Sequence, residues 1–260
     1  MIAYTNPIED QLGPITGDFN LRAFEITHDE ANRDIYTKTC EKLGAKKFVA
    51  DIVGNKYVVP TYRVGDSIER VVEKTRRDKY MLKYNLYSNA NTVVENGKFL
   101  TGEAINKFSN PDRPADEYYY WWKDKQGKFY SEQYLDNVHN YKFFCYKGEI
   151  MCLYSTVYHR DVRQMVTYPD LKPVEWTTAI GGNEGKFTRR PDIRWNEMVE
   201  VVKELAKSFP LIRIDMMSSD GRVYFGEFTP TFGGFYAHES CQKPIAKMME
   251  AIDDRQPAAD

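Results

Sequence analysis

The hydrophobic residues of this chain follow helical spacing in several stretches. Between residues 195 and 209 apolar side chains recur on one helix face, at Trp195, Met198, Val199, Val202, Leu205, Ala206 and Phe209, and this spacing predicts an amphipathic helix. Residues 29–53 carry the same period, interrupted near Gly44 and ended at Gly54, which predicts two short helices. Further helices are predicted at 66–77 and at about 241–252.

Alternating or short apolar runs fill much of the remaining chain. They predict strands at 56–64, 78–87, 128–135, 141–148, 149–159, 163–168, 210–217 and 222–229. Pro60 makes the first an edge or irregular strand, and Lys147-Gly148 forms a turn between two others.

The first 27 residues have no sustained period and are interpreted as an irregular leader. The aromatic cluster within 98–125 favours buried packing over a substrate wall. The predicted fold class is α+β, with two mainly antiparallel sheets, each backed by helices, and a cleft between them.

Composition narrows the class of protein. The 260 residues, 42% of them apolar, suffice for one compact domain or two small lobes with a real core. The formal charge is −2 and the sequence has no long block of one sign, so the charge distribution does not indicate nucleic acid or an anionic membrane as a partner. The N-terminus has no cationic start before an apolar run, so we expect neither secretion nor membrane insertion. Four scattered cysteines favour free thiols in a reducing cytoplasm over structural zinc.

The segment LIRIDMMSSDGRVYFGEFTPTFGG contains the clearest chemistry. Its Asp-Gly pair predicts a hairpin with a three-residue loop at 219–221, a type I turn followed by glycine in the left-handed region. That register sets Asp215 opposite Phe225 and Arg213 opposite Glu227. Because strand side chains alternate between faces, both carboxylates and the guanidinium would then lie on one face.

This predicted face suits a hard cation and a polyphosphate. Thr229 follows Glu227 by two residues and shares the face, so two carboxylates and a hydroxyl converge beside Arg213. Magnesium prefers oxygen ligands and keeps waters and substrate phosphates, so two protein carboxylates suffice. Arg213 could neutralise charge on a transferred phosphoryl group. The alternative is a solvated hairpin face with a weak cross-strand Arg–Glu pair.

The order of motifs along the chain resembles the ATP-grasp superfamily, and within it the TupA-like branch named for teichuronopeptide biosynthesis. The resemblance covers residues 41–235 and rests on Glu41-Lys42, GNKYVVP, DKYMLKYN, SEQYL, YKFFCYKGEI, FPLIRID and YFGEFTPTFGG. It implies an ATP-grasp fold with an ATP cleft between two α+β lobes. The implied division is an irregular or helical leader at 1–40, an N-terminal lobe at 41–135 and a C-terminal catalytic lobe at 136–260.

Carried over position by position, the resemblance implies roles for individual residues. It implies cofactor-binding roles for Lys42, Lys83 and Lys142 on the nucleotide side, and for Glu132, Gln133, Tyr134 and Leu135 as the hinge that binds adenine and ribose. It implies that Arg213 is the transition-state arginine and that Asp215, Glu227 and Thr229 hold the metal. The alternatives are ordinary surface lysines and a plain strand with an outward Glu132.

The loop after Lys83 departs from the family pattern. The family has a glycine-rich loop over the phosphates, whereas this chain has NLYSNAN. Backbone amides bind phosphate best where side chains do not block approach. Asn85, Asn89 and Asn91 tolerate left-handed torsions, so a working loop, slower turnover and loss of activity all stay open.

The resemblance implies a Mg²⁺- and ATP-dependent ligase that joins a carboxylate to an amine through an acyl-phosphate. Fold-level analogy suggests a sugar acid and an amino acid as substrates. His159, Arg160 and Arg163 could face the acceptor, with Arg163 a catalytic candidate; surface arginines are the alternative.

His28, His139 and His238 are interpreted as structural. A kinase without an amine step and a nucleotide-binding module without turnover are the rival functions. Oligomeric state is left open.

Overall fold

The computed structural model describes residues 17–86, 90–100, 121, 125–157, 164–177, 185–190, 193–231 and 239–255. Its helices are α1 Asp18–His28, α2 Arg33–Thr39, α3 Lys42–Val53, α4 Ile68–Lys74, α5 Trp195–Ala206 and α6 Glu239–Arg255. Its strands are β1 Thr61–Gly65, β2 Lys79–Tyr84, β3 Asn91–Glu95, β4 Lys98–Phe99, β5 Phe129–Gln133, β6 His139–Tyr146, β7 Glu149–Val157, β8 Met165–Thr167, β9 Leu211–Ser219 and β10 Arg222–Thr229. Single 3-10 turns occur at Glu30–Asn32 and Asn55–Tyr57.

The strands form two five-stranded antiparallel sheets, so the α+β fold-class prediction is confirmed. The first sheet has the order β1-β5-β2-β3-β4. One of its faces packs on α4 in a small core of Val71, Tyr80, Leu82 and Val94. Ser67 begins α4 by accepting a hydrogen bond from the Arg70 backbone amide, which satisfies one of the free donors at the helix start.

The second sheet has the order β10-β9-β6-β7-β8. One face packs against α5 and α6 in the larger core, where Trp195 of α5 contacts the rings of Tyr141 and Phe143 on β6. Since strand side chains alternate, Lys142 between those two rings points to the opposite face. The predicted turn at Lys147-Gly148 is confirmed, with both residues at positive φ.

Two predictions about the N-terminal part are wrong. Residues 18–28 form a helix rather than an irregular leader, because Phe19 and Ala23 are buried in the larger core and the Gln242 side chain accepts hydrogen bonds from the Phe19 and Asn20 amides. The two short helices predicted within 29–53 are present as α2 and α3, but the break lies at Cys40-Glu41 and Gly44 lies inside α3. A Cβ at Gly44 would stand 2.5 Å from the carbonyl oxygen of Lys38, so glycine permits the close approach of α2.

The segment 56–64 also differs from its prediction, since residues up to Tyr57 form the 3-10 turn and the strand begins at Thr61. Of the aromatic cluster near residue 120, the structure describes Trp121, which is buried in the larger core. Among the described helices, none combines the length and apolarity needed to cross a lipid bilayer. The lobe boundaries stay a prediction.

Candidate active site

The hairpin of β9 and β10 carries both candidate metal-binding carboxylates on one face. Its loop has two residues, Asp220 and Gly221, both at positive φ, so the predicted three-residue loop is wrong. The predicted partners are wrong as well: Asp215 lies opposite Glu227 and Arg213 opposite Thr229. The shared face of these four side chains nevertheless agrees with the prediction.

A β-bulge at Gly226 explains this agreement. Phe225 pairs with Met216 and points into the larger core, so an unbroken ladder would turn Glu227 to the core as well. The bulge inserts one extra residue between Phe225 and Glu227, and Glu227 then pairs with Asp215 instead. The shorter loop and the bulge each move the register by one residue, and the two shifts together preserve the face.

Asp215 is the centre of an ion-pair network on this face. Arg213 donates from Nε to Asp215 Oδ1 at 2.7 Å and from Nη2 to Oδ2 at 3.0 Å. Lys142, directly opposite Asp215 on β6, donates to the same Oδ2. Arg213 Nη2 also donates to Glu227 Oε1 at 3.1 Å, so the guanidinium connects both carboxylates. Glu227 is the exposed member, with 47% of its side chain accessible.

These contacts fix the charge of Asp215. Burial raises the pKa of Asp215, but the positive charges of Arg213 and Lys142 outweigh burial and lower that pKa below its ordinary value of 3.8. Burial likewise lowers the pKa of Arg213, and the charge of Asp215 outweighs it and raises that pKa. Asp215 is therefore a carboxylate at neutral pH, the form that a metal requires.

Glu132 is the centre of a second network, on the first sheet. Lys83 donates to Glu132 Oε1 at 2.5 Å and Lys46 of α3 donates to Oε2 at 2.6 Å. Lys46 also donates to the Thr61 hydroxyl at 2.7 Å. Burial raises the pKa of Glu132, but Lys83 and Lys46 lower it by more, so the pKa lies below its ordinary value of 4.5. Burial dominates at Lys46 and lowers the pKa of its ammonium group.

A cavity of about 750 Å³ is lined by residues of both sheets and includes the Glu132 network in its wall. Lys83 and Glu132 line it from the first sheet, and the facing pair Asn140 and Met217 lines it from the second. Lys142 and Asp215 are the next pair on the same face of β6 and β9, two residues or about 7 Å further along. The volume is within the range of about 300–1,000 Å³ that is typical of small-molecule sites.

The predicted hinge residues Gln133, Tyr134 and Leu135 line this cavity where the chain passes from β5 to β6. The Gln133 amide donates to the carbonyl of Pro60 at 2.9 Å, and the ammonium group of Lys79 lies 4.2 Å from the ring centroid of Tyr134.

His139 lines the cavity and stacks on Tyr141. His28 lies elsewhere, stacked on Phe24, where burial lowers its pKa to about 4.

Lys42 lies apart from the large cavity. At the start of α3 it lines a small cavity together with Glu227 and Leu86, and its backbone amide donates to the carbonyl of Asn85. Sequence reasoning missed Lys46, one helical turn further on and therefore on the same helix face as Lys42. The i, i+4 spacing of Lys42 and Lys46 was the sequence signal that could have indicated Lys46 as a site residue.

Other candidates lie outside the described residues, namely Asn89, His159, Arg160, Arg163 and His238. Asn85 is described and joins three segments at the end of β2. Its side chain donates to Glu41, which caps α3, and accepts from the Lys128 amide at 2.7 Å.

The donor set on the second sheet fits magnesium. The hydroxyl oxygen of Thr229 is buried and has no hydrogen-bond partner within the described residues. It shares the face of Asp215 and Glu227, so a ligand there would satisfy it. The described residues contain no group of three or more His, Cys, Asp or Glu that could hold a metal. Two carboxylates and a hydroxyl suit magnesium, which completes its shell with water and phosphate oxygens.

The chain is similar to several solved structures. D-alanine–D-alanine ligase from Helicobacter pylori has a TM-score of 0.50 at 11% identity, with 90% of this chain and 66% of that one covered. The ADP complex of N5-carboxyaminoimidazole ribonucleotide synthetase gives 0.45 at 11% identity, covering 84% and 52%. L-amino acid ligase from Bacillus licheniformis gives 0.46 at 11% identity, covering 85% and 51%. The chain thus spans about half the length of these last two proteins.

The likeness to the Helicobacter ligase concerns the fold alone. No curated protein matches the chain in sequence. The family model described as TupA-like ATPgrasp matches residues 23–248, most of the chain. This chain therefore belongs to the TupA-like ATP-grasp family.

Proposed function

We propose that this chain is an ATP- and magnesium-dependent ligase that joins a carboxylate to an amine through an acyl-phosphate. The observation that carries the proposal is the pairing of Asp215 with Glu227 across the bulge, with Arg213 bonded to both. The face that they share continues into a cavity large enough for a nucleotide, lined by Lys83 and Glu132. The Helicobacter neighbour is a D-alanine–D-alanine ligase, which supports the same reaction class.

Each group of the candidate site has a proposed chemical use. Asp215, Glu227 and Thr229 would hold magnesium, which supplies charge neutralisation to the phosphates when bound. Lys83, Lys142 and Lys42 would hold phosphate oxygens. The hinge from Glu132 through Gln133 and Tyr134 to Leu135 would bind the adenine edge and ribose. Lys46 keeps Glu132 paired if Lys83 turns to a phosphate.

The reaction has two steps. An oxygen of the substrate carboxylate attacks the γ-phosphorus of ATP, ADP leaves, and an acyl-phosphate forms. The amine nitrogen then attacks the acyl carbon, inorganic phosphate leaves, and the nitrogen loses a proton. Arg213 neutralises charge on the transferred phosphoryl group, so the protein contributes position and charge rather than covalent chemistry.

For substrates we propose an amino acid or peptide as amine, and a sugar acid or another carboxylate as acceptor, in polysaccharide or small-molecule biosynthesis. Arg163 is the candidate for binding the acceptor carboxylate, since a guanidinium binds carboxylate with two hydrogen bonds. We propose a cytoplasmic location. The free thiols of Cys145, Cys152 and Cys241, all buried, suit a reducing compartment.

The test is ADP release with panels of uronic acids, amino acids and short peptides, run with and without hydroxylamine. A ligase gives ADP that depends on the acid, and hydroxylamine traps the acyl-phosphate as a hydroxamate. A stable phosphoester with no hydroxamate would indicate a kinase. Stabilisation by Mg-ATP without ADP from any pair would indicate a binding module. Glu227→Gln serves as the inactive control.

A further inference from the structure

A second cavity lies at the free edge of the first sheet. It has a volume of about 390 Å³ and is lined by Thr61, Tyr62 and Arg63 of the edge strand β1 and by residues 74–77 at the end of α4. Among the described lining residues, four are cationic and none is acidic: Arg63, Lys74, Arg76 and Arg77. Its size is within the usual range of small-molecule sites, about 300–1,000 Å³.

Tyr62 orients two of these guanidinium groups. The Arg77 guanidinium carbon lies 5.1 Å from the ring centroid of Tyr62, and Arg63 Nη1 donates to the Tyr62 carbonyl at 2.8 Å. Neither contact neutralises a charge. Both arginines are therefore held in place with hydrogen-bond donors left for a ligand, since each guanidinium has five N–H groups.

Thr75 anchors the segment that presents the other cations. Its buried hydroxyl donates to the Val71 carbonyl at 2.6 Å and shares a hydrogen bond of 2.7 Å with the Ser131 hydroxyl on β5. Lys74 and Arg76 flank Thr75 directly, so their backbone is fixed to the sheet. The cationic wall is thus built on a rigid element.

The charges of this cavity lack the partners that neighbouring cations have. Lys79 and Lys128 on the same sheet pair with Glu95 and Asp66. Within the described part of the chain, none of the four cavity cations forms an ion pair. Because like charges repel, a bound anion would lower the electrostatic energy of this wall.

We propose that this cavity is a binding site for a small multivalent oxyanion of the phosphate or carboxylate class, distinct from the nucleotide site. Two hydrogen bonds connect the sites: the Thr61 hydroxyl, on β1, accepts from Lys46, and Lys46 also donates to Glu132 in the wall of the nucleotide cavity. An anion at β1 is therefore adjacent to the nucleotide cavity without occupying it.

The test measures binding of sodium tripolyphosphate and of citrate to the full chain by calorimetry and thermal shift, against sodium chloride at equal ionic strength. The cavity variant is Arg76→Gln/Arg77→Gln. The controls are Lys83→Met in the nucleotide cavity and Lys98→Gln, an exposed lysine on β4 of the same sheet. All substituted side chains except that of Lys83 are exposed, so the variants should fold.

We expect at least one probe to bind the native chain, Lys83→Met and Lys98→Gln alike. For the cavity variant we expect a Kd at least about tenfold higher, since the variant loses two guanidinium groups that would donate charge-assisted hydrogen bonds to the anion. The two probes distinguish the phosphate from the carboxylate class. Three results would overturn the proposal: no binding by either probe, loss in Lys83→Met with retention in the cavity variant, or equal weakening in Lys98→Gln.

Discussion

Glu132 illustrates how a single buried carboxylate sets the charge of a cavity wall. It is the shared partner of Lys46 and Lys83, whose side chains are only 12% and 23% exposed. Changing Glu132 to Gln leaves two ammonium groups facing each other, so we expect unfolding free energy at neutral pH to fall by about 2–4 kcal/mol. Urea denaturation measures the change. Glu95→Gln is the matched control, because its pair with Lys79 is exposed and worth under about 1 kcal/mol.

The same residue predicts a pH dependence. The pKa of Glu132 is lowered from 4.5 because Lys83 and Lys46 outweigh burial. A carboxyl group with a lowered folded-state pKa contributes stability above its unfolded pKa and loses it as the pH falls through the folded value. We therefore expect the native chain to lose stability as the pH drops below about 4.5, and Glu132→Gln to lose less over that interval. Unfolding curves at successive pH values would show this; parallel curves would contradict it.

The two candidate metal ligands should respond differently to loss of charge. Glu227 is 47% exposed, so Glu227→Gln should reduce ATP turnover by about a hundredfold or more with little change in Tm. Asp215 is buried beneath Arg213 and Lys142, so Asp215→Asn should lose turnover and also about 2–4 kcal/mol of stability. Phosphate release and thermal unfolding separate the two effects. Full turnover in both variants would refute the assignment.

At the scale of elements, the bulge in β10 determines that Glu227 lies on the same face as Asp215. A Cβ added at Gly226 would lie 3.0 Å from the carbonyl oxygen of Asp215, a backbone atom that cannot move away alone. We expect Gly226→Ala to lower the free energy of unfolding by about 1–3 kcal/mol. We also expect it to reduce ATP turnover, because Glu227 would shift relative to Asp215. At Gly65 the nearest atom, also at 3.0 Å, is a side-chain methyl group of Val71 rather than a backbone atom. Gly65→Ala is therefore the control, and equal turnover in both variants would argue against the bulge.

Elements with a strong apolar period could be predicted from the sequence, because burial of one face dictates that period. The helix α5 and the strands β9 and β10 are such cases. The bulge at Gly226 could not be predicted, since it exists only in the pairing of two strands. A glycine within a strand can also occur for reasons other than a bulge. Gly44 shows the same limit: the atom that requires glycine there belongs to the preceding helix.

At the scale of the whole molecule, α3 connects the two sheets. Its Phe48 packs on Phe209 and Phe228 in the larger core, while its Lys46 reaches Glu132 on the first sheet. That ion pair joins residues 86 positions apart in sequence. The i, i+4 spacing places Lys46 on the same helix face as Lys42, but no local pattern shows that its partner is Glu132.

A nucleotide in the cleft would contact both sheets, and this predicts how its binding energy divides between them. A ligand that binds only the folded state stabilises it by about 2.7 kcal/mol at a concentration of 100 times its Kd. We expect Mg-ATP to raise Tm by several degrees, measured by thermal shift with ATP, ADP and magnesium varied separately. Lys83→Met would remove the proposed phosphate contact of the first sheet, so the Tm shift of this variant should shrink with or without magnesium. Glu227→Gln would remove the proposed metal contact of the second sheet, so only the magnesium-dependent part of the Tm shift should be lost. A full magnesium-dependent shift in Glu227→Gln would place the metal elsewhere, and the carboxylate pair would then be a structural ion-pair network.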